Sequence, residues 1–406
     1  MAVSEFLADR TRRNVAILAL AQVLFHSTQG MAIATTPLAA LQMLGDNKTW
    51  ATVPIFLAHV GLMTTTLPAA LLMGRVGRRA GFTLGAMIGI VGGLVSFAAV
   101  WVQSFALLCL GGFLQGAAAS FAWHYRFAAT DTASDDYKAK ALSLVMVGGV
   151  LAGLIGPQTA KWAVGIFDPV LFAGVYMMAS VFAVGMLLLV QLVRIPNPVR
   201  TEGASSGRPM SEIMRQPMFV VAVLSSMFGY AVMTLVMSAT PLAMNGCGFG
   251  FADSATVIQA HVIAMFLPSF FTGHLINRFG VLPIIAAGAA IEMLCAVVNF
   301  MGIGFFNFLI ANMLVGLGWN FCYVGGSTLL TKSYRTEEKA KVQGTHDFLV
   351  YGTTAMAAAL SGTLQAQAGW TVTNAASLPM LAIVLGAVFW LSRMQKTAAA
   401  ARQHEA

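Results

Sequence analysis

The chain has 406 residues, of which 58% are hydrophobic and 9% are charged, and its mean hydropathy is +0.78. This composition excludes an ordinary soluble domain, because soluble proteins carry far more charge and far less apolar sequence. The net charge of +8 would favour a nucleic-acid ligand only if the basic residues clustered on a soluble face, and they are instead spread along the chain.

Twelve apolar runs are predicted to be membrane-spanning helices, because about 20 apolar residues cross a hydrocarbon core of roughly 30 Å. They occupy about residues 14–36, 50–73, 81–101, 104–125, 141–163, 168–193, 217–242, 254–276, 281–302, 304–330, 342–365 and 371–393. The first run follows "DRTRR" without a small-residue cleavage site, so we expect a retained span rather than a signal peptide.

The basic residues predict the orientation of these spans. With the amino terminus in the cytoplasm, all of the 23 lysines and arginines except Lys48 and Lys161 lie on the inner side, as the positive-inside bias requires. The sequence therefore predicts an all-α membrane protein with twelve transmembrane helices and both termini in the cytoplasm. The four cysteines are scattered and form no disulfide framework; Cys247 alone lies in a short outer loop.

Two six-helix repeats are predicted, with residues 1–193 and 217–393 as the halves, 194–216 as a cytoplasmic linker and 394–406 as a tail. "ALLMGRVGRR" (70–79) after span 2 resembles "GHLINRFGVL" (273–282) after span 8. "DDYKAKA" (135–141) recurs about 201 residues later as "TEEKAKV" (336–342). Parallel repeats of six spans are typical of transporters that work by rocking their halves.

The loop after span 2 resembles the Gly-x-x-x-Asp-Arg-x-Gly-Arg-Arg motif of the major facilitator superfamily. Ala70 and Gly74 replace the usual Gly and Asp, and the second copy has Asn277 in the acidic position. The resemblance implies the fold of that superfamily and a gating role for both loops. The matching residues are Arg75, Gly77, Arg78 and Arg79 in the first copy and Gly273, Arg278 and Gly280 in the second.

Ionisable residues are rare within the predicted spans. Glu292 is the only clear mid-span carboxylate; we expect a structural polar contact, with proton coupling as the alternative. Arg126 and Asp347 lie near predicted cytoplasmic helix ends, where a solvated or gating role is expected. Four mid-span amides are predicted to be interhelical hydrogen-bond partners: Gln115, Asn299, Asn312 and Asn320.

Methionine and histidine repeat at helical spacing in spans 7 and 8. "MTLVM" places Met233 and Met237 four residues apart, and "HVIAM" does the same for His261 and Met265, so each pair shares one helix face. The loop position predicts that Met233 and His261 lie at similar depth in the outer half of the membrane. Methionine is also a common core filler, but thioether and imidazole together suit Cu(I).

A related set occurs in the other half. A shift of 202 residues maps Met233, His261 and Met265 onto Met31, His59 and Met63. We interpret this set, with His26 as an optional member, as secondary copper ligands; coincidence in a chain with 24 methionines is the alternative. Cys247 is a further secondary candidate, with an unligated loop thiol as its alternative.

The two motifs resemble those of the CcoA-type copper importers within the superfamily. The resemblance implies that Met233, Met237, His261 and Met265 bind copper during import across a bacterial cytoplasmic membrane, for cbb3-type cytochrome oxidase assembly. Copper is then the transported substrate rather than a cofactor. A monomer is expected, with no resident cofactor, no enzymatic activity, no nucleic-acid partner, and cytosolic copper acceptors as possible partners.

Two other functions stay open from the sequence. The chain could be a permease for a small organic molecule such as riboflavin, since its 27 Phe, 7 Trp and 7 Tyr could line a site for a flat ring. It could also be a membrane copper sensor that transports nothing.

Overall fold

The computed structural model describes residues 10–45, 47–131, 133, 135–195 and 207–404, excluding the side chains of 135–140, 142–143, 336, 340 and 398–404. Most of the predicted linker, 196–206, and the last two residues of the predicted tail lie outside the described residues.

Regular structure in these ranges consists of α-helices and two short 3-10 turns, Lys48–Trp50 and Thr336–Glu338. The helices are α1 (Arg10–Leu44), α2 (Val53–Val76), α3 (Arg78–Trp101), α4 (Phe105–Ala122), α5 (Tyr125–Ala128), α6 (Asp135–Ala163), α7 (Ala173–Gln191), α8 (Met210–Met214), α9 (Pro217–Gly246), α10 (Phe251–Phe266), α11 (Ser269–Phe279), α12 (Val281–Phe300), α13 (Phe305–Leu330), α14 (Lys339–Ala375) and α15 (Ser377–His404). Helices predominate because each one satisfies its own backbone hydrogen bonds inside the hydrocarbon.

The described helices account for twelve spans. Ten segments are long and apolar enough to cross a membrane, and one of these, Lys341–Thr397, has 57 residues. That segment contains two spans, because the backbone at Gly369 (φ +79°) is not helical. The pair α10 and α11, bent by 42°, supplies one more. The all-helical prediction and the multi-pass membrane location are confirmed.

Helix packing follows the internal repeat. Helix α1 packs along α6 as α9 packs along α14, α2 lies against α4 as α10 lies against α13, and α3 contacts α7 as α12 contacts α15. Contacts between the halves follow the same symmetry, since α6 meets α10 and α14 meets α2. The exact boundaries of the two halves remain a prediction.

The two repeated loops contain the same turn. Gly77 (φ +88°, ψ 162°) ends α2, and Gly280 (φ +90°, ψ 160°) ends α11. Their backbone N–H groups donate to Met73 at 3.0 Å and Ile276 at 2.8 Å. A positive φ combined with extended ψ is accessible almost only to glycine. The loop similarity read from the sequence therefore corresponds to a shared backbone requirement.

The four predicted amides form interhelical hydrogen bonds. Gln115 donates to the Gly89 carbonyl at 3.3 Å, and Asn299 donates to Asn374 Oδ1 at 2.7 Å. Asn312 and Asn320 of α13 bond to residues of α9, α10 and α11. This prediction is confirmed.

Asn320 joins the two segments of the bent span. Pro268 interrupts the helix after α10, because proline lacks the N–H that the ladder needs. Asn320 Nδ2 donates to the Met265 carbonyl at 2.9 Å and to Ser269 Oγ at 2.7 Å, and Thr272 Oγ1 donates to Asn320 Oδ1 at 2.7 Å. One side chain therefore stabilises both sides of the break.

Candidate functional site

A cavity of about 1560 Å³ lies between the two halves, with walls formed by residues of α2, α5, α6, α10, α11, α13 and α14. Arg78, Asp131, Lys339 and Lys341 are among its lining residues, and all belong to loops or helix ends predicted to be cytoplasmic. The cavity therefore opens on the predicted cytoplasmic side.

The opposite ends of the halves are closed against each other. Lys161 Nζ donates to Thr256 Oγ1 at 2.7 Å, and Gln158 donates to Gln259 at 2.7 Å. Both bonds join α6 to α10. The conformation is thus open inward and closed outward, one of the two end states of an alternating-access cycle.

Four rings of the C-terminal half form a cluster, here the aromatic platform: Tyr230, Trp319, Tyr323 and Tyr351. Trp319 and Tyr323 line the cavity, whereas Tyr230 and Tyr351 are buried outside its lining. The Trp319 and Tyr323 rings, one helical turn apart on α13, stack with their centroids 5.1 Å apart and their planes at 9°. The Tyr230 ring meets both edge-on at 5.4 and 5.7 Å, and the Tyr351 ring lies 6.3 Å from that of Tyr230.

The N-terminal half continues this aromatic surface. The His26 ring lies 5.3 Å from the Trp123 ring and 4.6 Å from the ring of Phe266, which belongs to the other half. Phe266 in turn lies 6.3 Å from Trp319. Flat side chains therefore cross the boundary between the halves without interruption.

Arg126 places one cation among these rings. Its guanidinium lies 5.5 Å from the Trp123 ring centroid and 4.7 Å from that of Phe127, within the range of cation–π attraction. It also interacts with Tyr323, Tyr351 and Asp347 of the other half. Arg126 thus packs against rings in the wall of the inward-open cavity, and its solvated or gating role stays a prediction.

Three polar atoms in the cavity wall lack a hydrogen-bond partner within the described residues: Arg126 Nε, Trp319 Nε1 and His346 Nε2. His346 Nδ1 lies 2.9 Å from Asp347 Oδ1; it must donate to that oxygen, which leaves Nε2 as an acceptor when the ring is neutral. An unsatisfied buried group costs about 1–3 kcal/mol. The wall thus offers two donors and one acceptor beside flat apolar faces.

The repeated loops make polar contacts at the predicted cytoplasmic end. Arg78 Nε lies 3.0 Å from Asp131 Oδ2, and Arg79 Nε donates to Gln191 Oε1 at 3.3 Å. Asp131 provides the carboxylate that is missing at position 74. No sequence pattern indicates this partner, because 53 residues separate it from Arg78. The guanidinium of Arg278 in the second copy lies over the Phe279 ring at 5.3 Å.

The helices that carry the predicted copper ligands are separated by α13. Helix α9 packs mainly on α13 and α14, while α10 packs on α13 and α6. His261 Nδ1 donates to the Asn312 carbonyl at 2.8 Å, and Asn312 Nδ2 donates to Thr240 Oγ1 at 3.1 Å. His261 of α10 is thus joined through Asn312 to Thr240 of α9. That Met233 and His261 share one depth stays a prediction.

The four ligand candidates lie outside the cavity wall in this conformation, and three of them are buried. Met233 is 2% exposed, Met237 5% and His261 0%, whereas Met265 is half-buried and its carbonyl accepts from Asn320. His261 Nε2 has no hydrogen-bond partner within the described residues. Because Nδ1 carries the proton that bonds to Asn312, the lone pair of Nε2 is free.

The secondary candidates lie in different surroundings. Met31 packs with small residues of α6 and α7, including Ala160 and Ala163. The His59 ring donates from Nδ1 to its own helix, at the Ile55 carbonyl 3.0 Å away, whereas Met63 lines the cavity. Cys247 is exposed at the end of α9.

Comparisons with known proteins agree with this architecture. The model of the Major Facilitator Superfamily matches residues 18–298. The riboflavin transporter RfnT of Brucella anthropi is 38% identical over 380 residues, which cover 93% of this chain and 95% of that protein. YddS, an uncharacterised transporter of this type from Bacillus subtilis, is 29% identical, with 94% of this chain and 91% of that protein covered.

Two solved structures share the fold. A bacterial homologue of the human lysosomal transporter Spinster, in an inward-facing and unoccupied conformation, has a TM-score of 0.72 at 14% identity, covering 95% of this chain and 97% of that one. The fucose:proton symporter FucP of E. coli has a TM-score of 0.65 at 17% identity, covering 95% and 99%. These relatives support the superfamily and lend no support to the narrower resemblance to copper importers. The chain is a transporter, not an enzyme, and belongs to the Major Facilitator Superfamily.

Proposed function

We propose that this protein is a permease for a small planar aromatic molecule, with riboflavin as the leading candidate. The observation that carries the proposal is the aromatic platform, of which Trp319 and Tyr323 line the cavity, with the Arg126 guanidinium beside it. The 38% identity to a riboflavin transporter supports the same substrate. This is the organic-molecule alternative of the sequence analysis.

The side chains in this part of the cavity wall suit a flat ring system with polar groups at its edge. Offset stacking on Trp319 and Tyr323 would contribute about 0.5–1.5 kcal/mol beyond the apolar area that is buried. Arg126 Nε and Trp319 Nε1 would donate to ring carbonyl or imine groups, and His346 Nε2 would accept from a ring N–H. A cavity of about 1560 Å³ has room for such a ligand and its water, since pockets that bind drug-sized ligands measure roughly 300–1,000 Å³.

Uptake of radiolabelled riboflavin into proteoliposomes tests this function. The wild type should accumulate label above empty liposomes, and Trp319→Leu should lower uptake about tenfold, because it removes the stacked ring. Trp162→Leu is the matched control: Trp162 is 68% exposed on a membrane-spanning helix, so uptake should be unchanged. Absence of wild-type uptake, or equal loss in both variants, would contradict the proposal.

Copper import is the second candidate, favoured by one observation. The Asn312 carbonyl fixes the His261 tautomer so that Nε2 presents an unpartnered lone pair in a buried setting. A second hydrogen bond that orients a ligating imidazole in this way is typical of metal sites. Met237 lies about one helical turn from Thr240 on α9, and Thr240 is bonded to Asn312, the partner of His261.

Cellular copper distinguishes this candidate from the first. In a deletion strain, copper content should fall and be restored by the wild-type gene but not by a Met233→Leu, His261→Leu double variant with equal protein level. The second ligand set predicts a smaller fall when His59 and Met63 are both replaced by leucine. Unchanged copper in both variants would exclude copper import, and copper bound without accumulation would indicate a sensor.

A further inference from the structure

A carboxyl group is buried in the C-terminal half, outside the cavity wall. Glu292 on α12 is 1% exposed, and neither Oε1 nor Oε2 has a hydrogen-bond partner within the described residues. Buried polar groups in folded proteins are nearly always hydrogen-bonded, so this exception requires a physical reason.

The carboxyl group lies where three helices approach closely. A methyl group at Gly318 of α13 would lie 2.5 Å from Glu292 Cγ, and one at Gly229 of α9 would lie 3.7 Å from Oε1. The same methyl at Gly229 would lie 2.6 Å from Cys322 Cβ. Glycine at these positions therefore makes room for the glutamate, and little space is left for water.

Among the residues that the structure describes, no counter-ion stabilises an ionised form. The titratable groups that face Glu292 are Cys295 on its own helix and Cys322 on α13, while α9 presents Gly229. Among the described residues of α11, α14 and α15, no charged group acts on it. Removing an unpaired carboxylate from water is strongly unfavourable, so the group is neutral in this conformation.

The helix segments that enclose Glu292 also carry the aromatic platform. Gly229 precedes Tyr230, Gly318 precedes Trp319, and Cys322 precedes Tyr323. The same turns of α9 and α13 thus contact the carboxyl group with one residue and build the platform with the next. A change in charge or hydration at Glu292 therefore acts on the helices that hold the platform.

We propose that Glu292 is a proton-binding site of the transporter. The carboxyl group holds a proton in the inward-open conformation. When α12 separates from α9 and α13, water enters, the Oε–H bond breaks, the proton passes to water and a carboxylate remains. Coupling of this step to the organic substrate rests on the proposed function, whereas proton binding itself does not.

Infrared spectroscopy tests the proton site without any substrate. Purified wild type at neutral pH should show the C=O stretching band of a protonated carboxylic acid. The band should be lost in Glu292→Gln and shifted in Glu292→Asp, which keeps a carboxyl group if the glutamine variant folds poorly. Glu212→Gln is the control, because the Glu212 side chain is 57% exposed and the band should persist. A band that is absent from the wild type, or that survives in Glu292→Gln, would overturn the proposal.

Transport in proteoliposomes tests the coupling. An inside-alkaline pH gradient should stimulate riboflavin uptake by the wild type and not by Glu292→Gln, while riboflavin exchange without a gradient continues in both. Stimulation that persists in the variant would overturn the coupling. If the wild type moves no riboflavin but the infrared band behaves as expected, the substrate assignment fails and the proton site stands.

Discussion

The two halves of this transporter share a backbone plan but not their chemistry. Both end an equivalent helix with a glycine of φ near +90° and ψ near 160°, and equivalent helices pack in the same pairs. The C-terminal half carries the aromatic platform, the buried Glu292 and the interrupted span. The N-terminal half contributes Arg126 and Trp123. Duplication has thus kept what the backbone requires, while the cavity side chains diverged.

The largest expected effect concerns Arg126, which the N-terminal half contributes to the cavity wall. Arg126→Leu should lower riboflavin uptake by about 10- to 100-fold, because a hydrogen bond to a charged group contributes about 1.5–3 kcal/mol. Arg126→Lys keeps the charge but not the planar fork, so it should recover only part of the activity. Uptake by Arg126→Leu equal to wild type would show that the C-terminal half alone forms the site.

The interruption of span 8 should make the C-terminal half more sensitive to loss of an amide. Asn320→Leu removes hydrogen bonds to the Met265 carbonyl and to Ser269, and should destabilise the protein by at least about 2 kcal/mol, since each orphaned buried group costs roughly 1–3. The control is Gln115→Leu in the N-terminal half, which loses one longer bond of 3.3 Å. Melting temperatures in detergent should fall clearly more for Asn320→Leu; equal shifts would contradict this reading of the break.

Because both halves contain the same glycine turn, replacing the turn glycine should destabilise the protein equally in either half. Gly77→Ala and Gly280→Ala should each destabilise by about 1–3 kcal/mol, because alanine is strained at these dihedral angles. Gly74→Ala and Gly273→Ala are the controls; both positions are helical and have nothing within 4 Å of an added methyl group, so stability should rise slightly. A large difference between the two turn variants in thermal melting would break the equivalence of the halves.

The smallest effect concerns an ion pair outside the membrane, between the predicted linker and the C-terminal half. Glu338 accepts from the Arg208 guanidinium at 2.7 Å, and this hydrogen bond holds the pKa of the Glu338 carboxyl well below its usual value of 4.5. Its contribution to stability is present above pH 4.5 and is lost as the pH falls below that value towards the lowered pKa. In Glu338→Gln, melting temperature should therefore depend less on pH in the acidic range. An unchanged pH profile would show that the pair contributes nothing.

Span positions, the repeat and the interhelical amides were predictable, because each rests on local signals: apolar length, a recurring loop, and an amide in an apolar run. The platform was not predictable, because Tyr230, Trp319 and Tyr351 come from three separate spans, and an aromatic residue in an apolar run also fits ordinary packing. Met233 and Met237 lie four residues apart on one helix, α9, as their spacing predicted. That α13 lies between α9 and α10 was not predictable, because the apolar pattern of a span does not identify its neighbours.

The bend in span 8 has a mechanical consequence. Its outer segment, α10, is joined to α6 by hydrogen bonds from Lys161 and Gln158, while Ser269 and Phe270 of its inner segment, α11, line the open cavity. A continuous helix would move as one rigid body and would therefore transmit any tilt from one membrane face to the other. A span whose break lies beside Asn320 separates these motions, so α11 can move while the outer hydrogen bonds between α10 and α6 remain formed.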